Sequence, residues 1–325
     1  MLKRRTLIRD AAIAGSFLST IAACTPQQDH IDSGSDTEPQ VQWRMGTSWP
    51  ESLDILFGGA IRLCQRVATI TGGEFVITPY PSGDISTRSN VVDAVIAGNI
   101  ECAHTSSQYA IDQQLALAFA ACVPFGFNAQ QQNAWFFRGG GLDIISALYR
   151  DLGLIHLPVG NTGPRLGGWM LTPIESVDDF SALTMRSVGI GAQVLARLGA
   201  EIVALDGTEI VSALESGRLN AAEWSGAYDD RQLGLQKVAA LCHYPGWWSP
   251  SETIAAVINL DAWNQLPASY QQALQLAGME ANTTLMTRYT FANSRALEQL
   301  KRDGTALVAY PTELLNQIRS ITFEF

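Results

Sequence analysis

The sequence predicts an α/β protein of two lobes with a cleft between them, and three observations carry that expectation. Short apolar strands alternate with helix-spaced apolar segments, several of them closed by glycine, which is the pattern of β-α-β units and a largely parallel sheet. At 325 residues, with 47% apolar and 16% charged residues, the chain can bury two cores. Chain direction then reverses, and a strand at Ile254 to Ile258 returns to the first lobe, so two crossings are expected.

In chain order, residues 1–23 read as an export signal: Lys3-Arg4-Arg5 supplies a twin arginine, and Ala11 to Ala23 an apolar stretch too short to span a bilayer. Ile21-Ala22-Ala23-Cys24 predicts cleavage before Cys24 and lipidation of its thiol; an ordinary signal with a chance cysteine is the alternative. Residues 24–40 are polar enough to read as a flexible tether. Residues 41–160 with 250–282 are expected to form lobe I. It holds a strand at Val41 to Gly46, a helix at Leu53 to Thr71 ended by Gly72-Gly73, a strand at Phe75 to Thr78, a helix at Val91 to Ala97 and a strand at Ile100. A helix ending near Arg138, a helix at Leu142 to Tyr149 and a strand at Ile155 to Val159 follow. The glycine-rich run Gly160 to Trp169 then reads as a constrained loop at the first crossing. Lobe II, residues 161–249, alternates strand and helix through Met185 to Val188, Ala192 to Leu198, Glu201 to Leu205, Thr208 to Ser216 and Leu219 to Trp224. Two amphipathic helices, Ser269 to Ala281 and Thr283 to Leu300, precede a last strand at Ala306 to Tyr310; residues 283–325 form a C-terminal segment.

The formal net charge of -10 argues against nucleic acid or an anionic membrane surface as partner. An acidic protein that binds an anion must use a few local cations, for which arginine is suited. Cys64, Cys102, Cys122 and Cys242 are too widely spaced for a metal motif and read as buried packing residues. Ligands of such sheets bind beyond the carboxyl ends of strands, which draws attention to Cys102 to Tyr109. His104 has no nucleophile or carboxylate paired with it in the sequence, so a structural role is preferred over a catalytic one. The chain shows no phosphate loop, metal cluster or cofactor fingerprint.

The stretch Met185 to Trp248 gathers what remains. Arg186 stands at a strand end before Gly189-x-Gly191; Glu223 is coupled to Trp224; Trp247 and Trp248 follow Pro245-Gly246. A guanidinium offers a rigid pair of donors that matches a carboxylate and stays charged. Glu223 beside a bound anion requires a cation between them or a ligand hydroxyl. Trp224, Trp247 and Trp248, with Trp49 from the other lobe, can wall a pocket, or be plain core.

Arg186 with its Gly-x-Gly, Leu198-Gly199-Ala200, the run from Ala213 to Trp224 and Pro245-Gly-Trp-Trp248 resemble the solute-binding receptors of TRAP transporters, nearest to those for 2-oxo and 2-hydroxy acids. The resemblance spans roughly Trp43 to Tyr310. It implies a type II periplasmic binding protein-like fold with an interlobe cleft, long C-terminal helices, a small organic acid as ligand and membrane permease subunits as partners. It also implies that Arg186 grips the acid and that Thr105 and Tyr109, with Asn161 of the Gly-Asn-Thr-Gly loop, line the cleft. In the relatives a sodium or calcium ion bridges the acid to the equivalents of Glu223 and Trp224, a glutamine of that loop and a glutamate after the paired tryptophans. Here those last two positions are Arg165 and Ser249, too few oxygens for a hard cation. The expectation is therefore no metal, with the guanidinium of Arg165 in the ion's place, balancing Glu223 and a monocarboxylate together with Arg186. The alternative has Arg165 turned outward and Glu252 restoring a metal ligand. The family's further helical tail is not matched beyond Phe325, which puts a dimer built by tail exchange in doubt. A receptor for an ABC importer is the near alternative to a TRAP receptor; the distant one is an enzyme with Glu223 as base and Arg186 as substrate clamp.

Overall fold

The computed structural model describes residues 38–239 and 241–324. The twin-arginine signal, Cys24 and the tether up to residue 37 lie outside the described residues. The first lobe opens with β1 (Val41–Thr47), α1 (Asp54–Ile70), β2 (Phe75–Tyr80), α2 (Val91–Ile96) and β3 (Cys102–Ser106). It continues through α3 (Ala118–Ala121), α4 (Ala129–Arg138), α5 (Gly141–Asp151) and β4 (Leu154–Asn161). The second lobe holds β5 (Trp169–Met170), β6 (Thr184–Arg186), α6 (Gly189–Arg197), β7 (Glu201–Val203), α7 (Gly207–Glu215), β8 (Ala221–Ala222), α8 (Ala227–Leu233) and β9 (Leu241–Tyr244). Then come β10 (Thr253–Asn259), α9 (Leu260–Asn264), α10 (Ala268–Arg302), β11 (Ala306–Ala309) and α11 (Thr312–Phe323).

Local chemistry explains the boundaries. α1 buries Ile55, Leu56, Leu63 and Val67 on one face and stops where Gly72 and Gly73 take positive φ of 63° and 90°, a conformation that costs other residues more. α4 starts in a capping box, in which the Asn128 side chain accepts from the Gln131 backbone and the Gln131 side chain accepts from the Asn128 backbone; Asp206 and Glu209 do the same for α7.

The first sheet has the order β2-β1-β3-β10-β4 and the second β11-β9-β5-β8-β6-β7. Both are mixed rather than simply parallel, because β10 pairs antiparallel with β3 and β4, and β5 antiparallel with β8 and β9. The reversed strands, β5 and β10, each follow a crossing that leaves from the cleft end of a strand. β4 and β9 end at the cleft, so the chain enters the other sheet from its cleft edge and must run outward, against the neighbours. The remaining strands point their carboxyl ends at the cleft.

Four expectations are corrected. His104 and Thr105 lie within β3 rather than in a loop after it. β8 ends at Ala222, because the Glu223 backbone turns to donate to the Arg186 carbonyl at 3.1 Å, which leaves Glu223 and Trp224 beyond the strand end. The two predicted late helices are one 35-residue helix, α10. Polar Asn282 breaks the apolar stripe there, yet it is buried and donates to Asn133 Oδ1 at 3.2 Å, so the helix continues as its partner changes from α1 and β4 to α8. The chain also crosses a third time, since β11 pairs parallel with β9. α11 then packs Leu314 and Ile318 into the second lobe's core beside Phe180 and Tyr310.

Candidate functional site

The carboxyl ends of the strands bring Trp49, Arg88, Tyr109 and Thr162 from the first lobe against Arg186, Trp224 and Ser225 from the second. Together with Gln108, Glu252 and Ile254 they line a small cavity of about 10 Å³. A second cavity, also of about 10 Å³, is lined by Arg165, Glu223, Cys122, Ile190, Trp248 and Ser249. A chain of buried charges runs past both. Arg186 donates from Nη1 to Glu223 Oε1 and to the Glu223 carbonyl, each at 2.9 Å, and from Nε to the Leu205 carbonyl at 3.1 Å. Glu223 Oε2 accepts from Arg165 Nη2 at 3.0 Å. Arg165 Nη1 donates in turn to Glu252 Oε2 and Ser249 Oγ, each at 3.0 Å.

All four charged side chains are buried, so each charge is held by its neighbours rather than by water. The two guanidiniums are compensated unequally. Burial works against the charge on Arg165, but Glu252 and Glu223 outweigh it and hold its pKa above the ordinary value. Burial also dominates at Arg186, where Glu223 is the main charge opposing it and Arg88 and Arg165 repel, so its pKa falls to about 10. Arg186 stays charged at neutral pH, and its Nη2 is buried with no hydrogen-bond partner in the protein. A buried donor with unspent capacity beside a cavity is what an incoming acceptor needs.

The aromatic walls are built from both lobes. The Arg186 guanidinium lies 4.8 Å from the centre of the Trp224 ring. Trp49 donates from Nε1 to His104 Nδ1 at 2.9 Å, and its ring meets Tyr109 at 6.5 Å. Burial lowers the pKa of His104 to about 3, so it is a neutral acceptor that orients Trp49.

Of the residues the sequence singled out, the structure thus brings Arg186, Arg165, Glu223, Trp224, Tyr109 and Trp49 to these two cavities. Three others do not line them. Thr105 sits in the central strand β3 and shares a 2.6 Å hydrogen bond with Ser48 Oγ. Asn161 ends β4, accepting from the Gly163 backbone at 2.8 Å and donating to Ser251 Oγ at 3.3 Å, so it shapes the crossing. Trp247 is core, stacked on Phe125 at 5.8 Å. Arg165 does not turn outward, and Glu252 is its partner rather than a freed ligand. No sequence feature singled out Arg88. It follows β2, so the rule that ligands gather beyond strand ends, applied to the segment after β3, also reaches the one after β2.

Residues 45–322 match the bacterial extracellular solute-binding protein family 7 (DctP). The chain is 45% identical over 323 residues to a monocarboxylate 2-oxoacid-binding periplasmic protein of Nostoc sp., covering 99% of this chain and 88% of that one. A TRAP transporter solute-binding protein from Bordetella bronchiseptica, a dimer with copurified calcium and picolinate in one site and the other apo, superposes with a TM-score of 0.86 at 38% identity, covering 88% of this chain and 85% of that one. One from Pseudoalteromonas atlantica, with bound sodium and pyruvate, gives 0.84 at 29% identity, covering 88% and 87%. No described helix is long and apolar enough to cross a membrane. Its two sheets, the cleft between their carboxyl edges and the family match over most of its length establish that this chain belongs to the bacterial extracellular solute-binding protein family 7, the solute-binding receptors of TRAP transporters.

Proposed function

We propose that this receptor captures a small monocarboxylate between its lobes, with Arg186 as the anchor, and hands it to the membrane subunits of a TRAP transporter. The observation that carries the reading is the unpartnered, buried Nη2 of Arg186 on a residue that lines a small interlobe cavity together with Trp49, Tyr109 and Trp224. Binding energy comes from charge-assisted hydrogen bonds in a site shielded from water. The relatives' 2-oxo acids, pyruvate and picolinate support the ligand class. The relatives are named as binding proteins. Export by the twin-arginine signal and tethering through a lipid on Cys24 complete the reading.

The bridging cation of the relatives does not fit the residues present. Its place calls for free carboxylate oxygens around Glu223, and the guanidinium of Arg165 already spans Glu223 and Glu252 at 3.0 Å each. Among the described residues, no three His, Cys, Asp or Glu side chains gather as a metal site. We infer that Arg165 supplies the positive charge there.

Thermal shift of the purified protein against a panel of carboxylic acids, with chelator and with added sodium or calcium, tests both statements. An acid at a hundred times its dissociation constant should stabilise the fold by about 2.7 kcal/mol, with or without chelator. Absence of any shift across the panel sinks the receptor reading; a shift that disappears with chelator sinks the metal-free one.

A further inference from the structure

We propose that Arg88 is a second ligand-binding cation, delivered from the first lobe when the cleft closes, and that it restricts the site to singly charged acids. The inference rests on the receptor reading and adds a residue to it.

Geometry gives the first argument. Arg88 stands between β2 and α2 in the first lobe and is only 6% exposed. Its guanidinium lies 4.4 Å from the centre of the Trp224 ring and 4.8 Å from that of Tyr109, and its Nε donates to the Tyr109 hydroxyl at 2.6 Å. Trp224 belongs to the second lobe, so Arg88 spans the cleft. Nη1 is buried without a hydrogen bond; the nearest carboxylate, Asp206, is 3.8 Å away and mostly solvent-exposed. Arg88 Nη1 and Arg186 Nη2 are thus two unspent donors on residues that line the same cavity, one from each lobe.

Electrostatics gives the second. Arg165 and Arg186 are balanced by Glu223 and Glu252, two positive charges against two negative. An acid entering that set alone would be an uncompensated buried anion. Arg88 raises the buried set to one net positive charge, which one carboxylate neutralises and two would overshoot. Asp230 acts on Arg165 from outside the two cavities, and the count covers the charges that line them. It sits behind Ser225, its carboxyl accepts from Trp169 Nε1 and the Ser225 backbone, and it is not among the residues lining the cavity. Because Arg88 reaches the site from the opposite lobe, its contacts form only in the closed state, and its loss should act mainly on ligand release.

The test compares pyruvate and the dianion malonate on wild type, Arg88→Gln, Arg88→Lys and Tyr109→Phe, by calorimetry and stopped-flow tryptophan fluorescence. Loss of a buried charge-assisted contact should weaken pyruvate binding by Arg88→Gln about 10- to 100-fold, mostly through faster dissociation. Arg88→Lys should recover part of that, and Tyr109→Phe, which removes the partner of Nε, should lose a smaller factor. Malonate should bind wild type at least about tenfold more weakly than pyruvate. Should Arg88→Gln fail to fold, the lysine and Tyr109→Phe variants carry the comparison alone. Arg88→Gln that binds pyruvate within about threefold of wild type, Arg88→Lys and Tyr109→Phe that both bind it as wild type does, or malonate bound as tightly as pyruvate, overturns the role of Arg88. Wild type that takes up no acid at all defeats the receptor reading, a distinct result.

Discussion

Arg165 is the residue on which the site's chemistry turns. Two buried carboxylates converge on its guanidinium, so removing it leaves Glu252 uncompensated and Glu223 with Arg186 alone, a change that costs about 3 to 5 kcal/mol in comparable buried pairs. Arg165→Gln should therefore lower the thermal midpoint of the ligand-free protein and, by freeing Glu223 and Glu252, create a cation requirement. Calcium should restore the variant's midpoint and leave wild type unmoved. Equal calcium responses in the two proteins would show that Arg165 does not stand in a cation's place. Arg186→Ala should abolish ligand-induced stabilisation for every acid in the panel; an undiminished shift would identify another anchor. Arg186 and Glu223 were legible in the sequence because a strand-end arginine and a Glu-Trp pair are distinctive. Arg88 was not, since its partners Tyr109 and Trp224 are distant in the chain, and Trp224 meets it only across the cleft.

At the scale of elements, the loops that carry Arg165 and Trp247 are packed backbone to backbone. A Cβ on Gly246 would lie 2.7 Å from the Leu166 carbonyl oxygen and 2.8 Å from that of Arg165, and neither atom belongs to a flexible side chain. Gly246→Ala should thus displace the segment that holds Arg165, costing about 1 to 3 kcal/mol of stability and weakening ligand binding as well. Gly217→Ala offers the contrast. Its φ of 74° is costly for alanine, but the space around it is open. That variant should lose about 1 kcal/mol with ligand affinity unchanged. Calorimetry and denaturation on both separate the two effects; equal affinity losses would contradict the packing argument. The sequence marked both glycines, but only the fold distinguishes a left-handed turn from a close backbone approach.

For the molecule as a whole, buried titratable groups set how stability follows pH. Burial raises the carboxyls of Asp229 and Asp230 to about 7, above the roughly 3.9 of an unfolded chain, so their contribution falls as pH rises through that window. His104 and His156 act in the other sense. Burial lowers both to about 3, so the stability they allow at neutral pH is lost as pH falls below roughly 6.5. Asp229 accepts from the Tyr289 hydroxyl at 2.7 Å through one oxygen and leaves the other unpartnered, so an amide can replace it. Asp229→Asn should raise the midpoint at pH 8 by a few degrees, about 1 kcal/mol, and the gain should vanish at pH 5. A gain of the same size at both values would mean that Asp229 does not titrate between them. α8 carries both aspartates and packs on α10, so this titration bears on the seam between the second lobe and the long helix.

The sequence by itself determined the α/β alternation and the two-lobe plan and pointed to Arg186 as the proposed anion anchor, because hydrophobic periodicity, glycine stops and a strand-end arginine are local signals. Tertiary structure decided the rest. Which strands run backward, that α10 is continuous, that β11 closes the second sheet and that Glu252 faces Arg165 all follow from contacts between residues far apart in the chain. The charge of the cleft is the clearest case: it depends on which side chains share a buried volume, and a linear reading has no access to that volume.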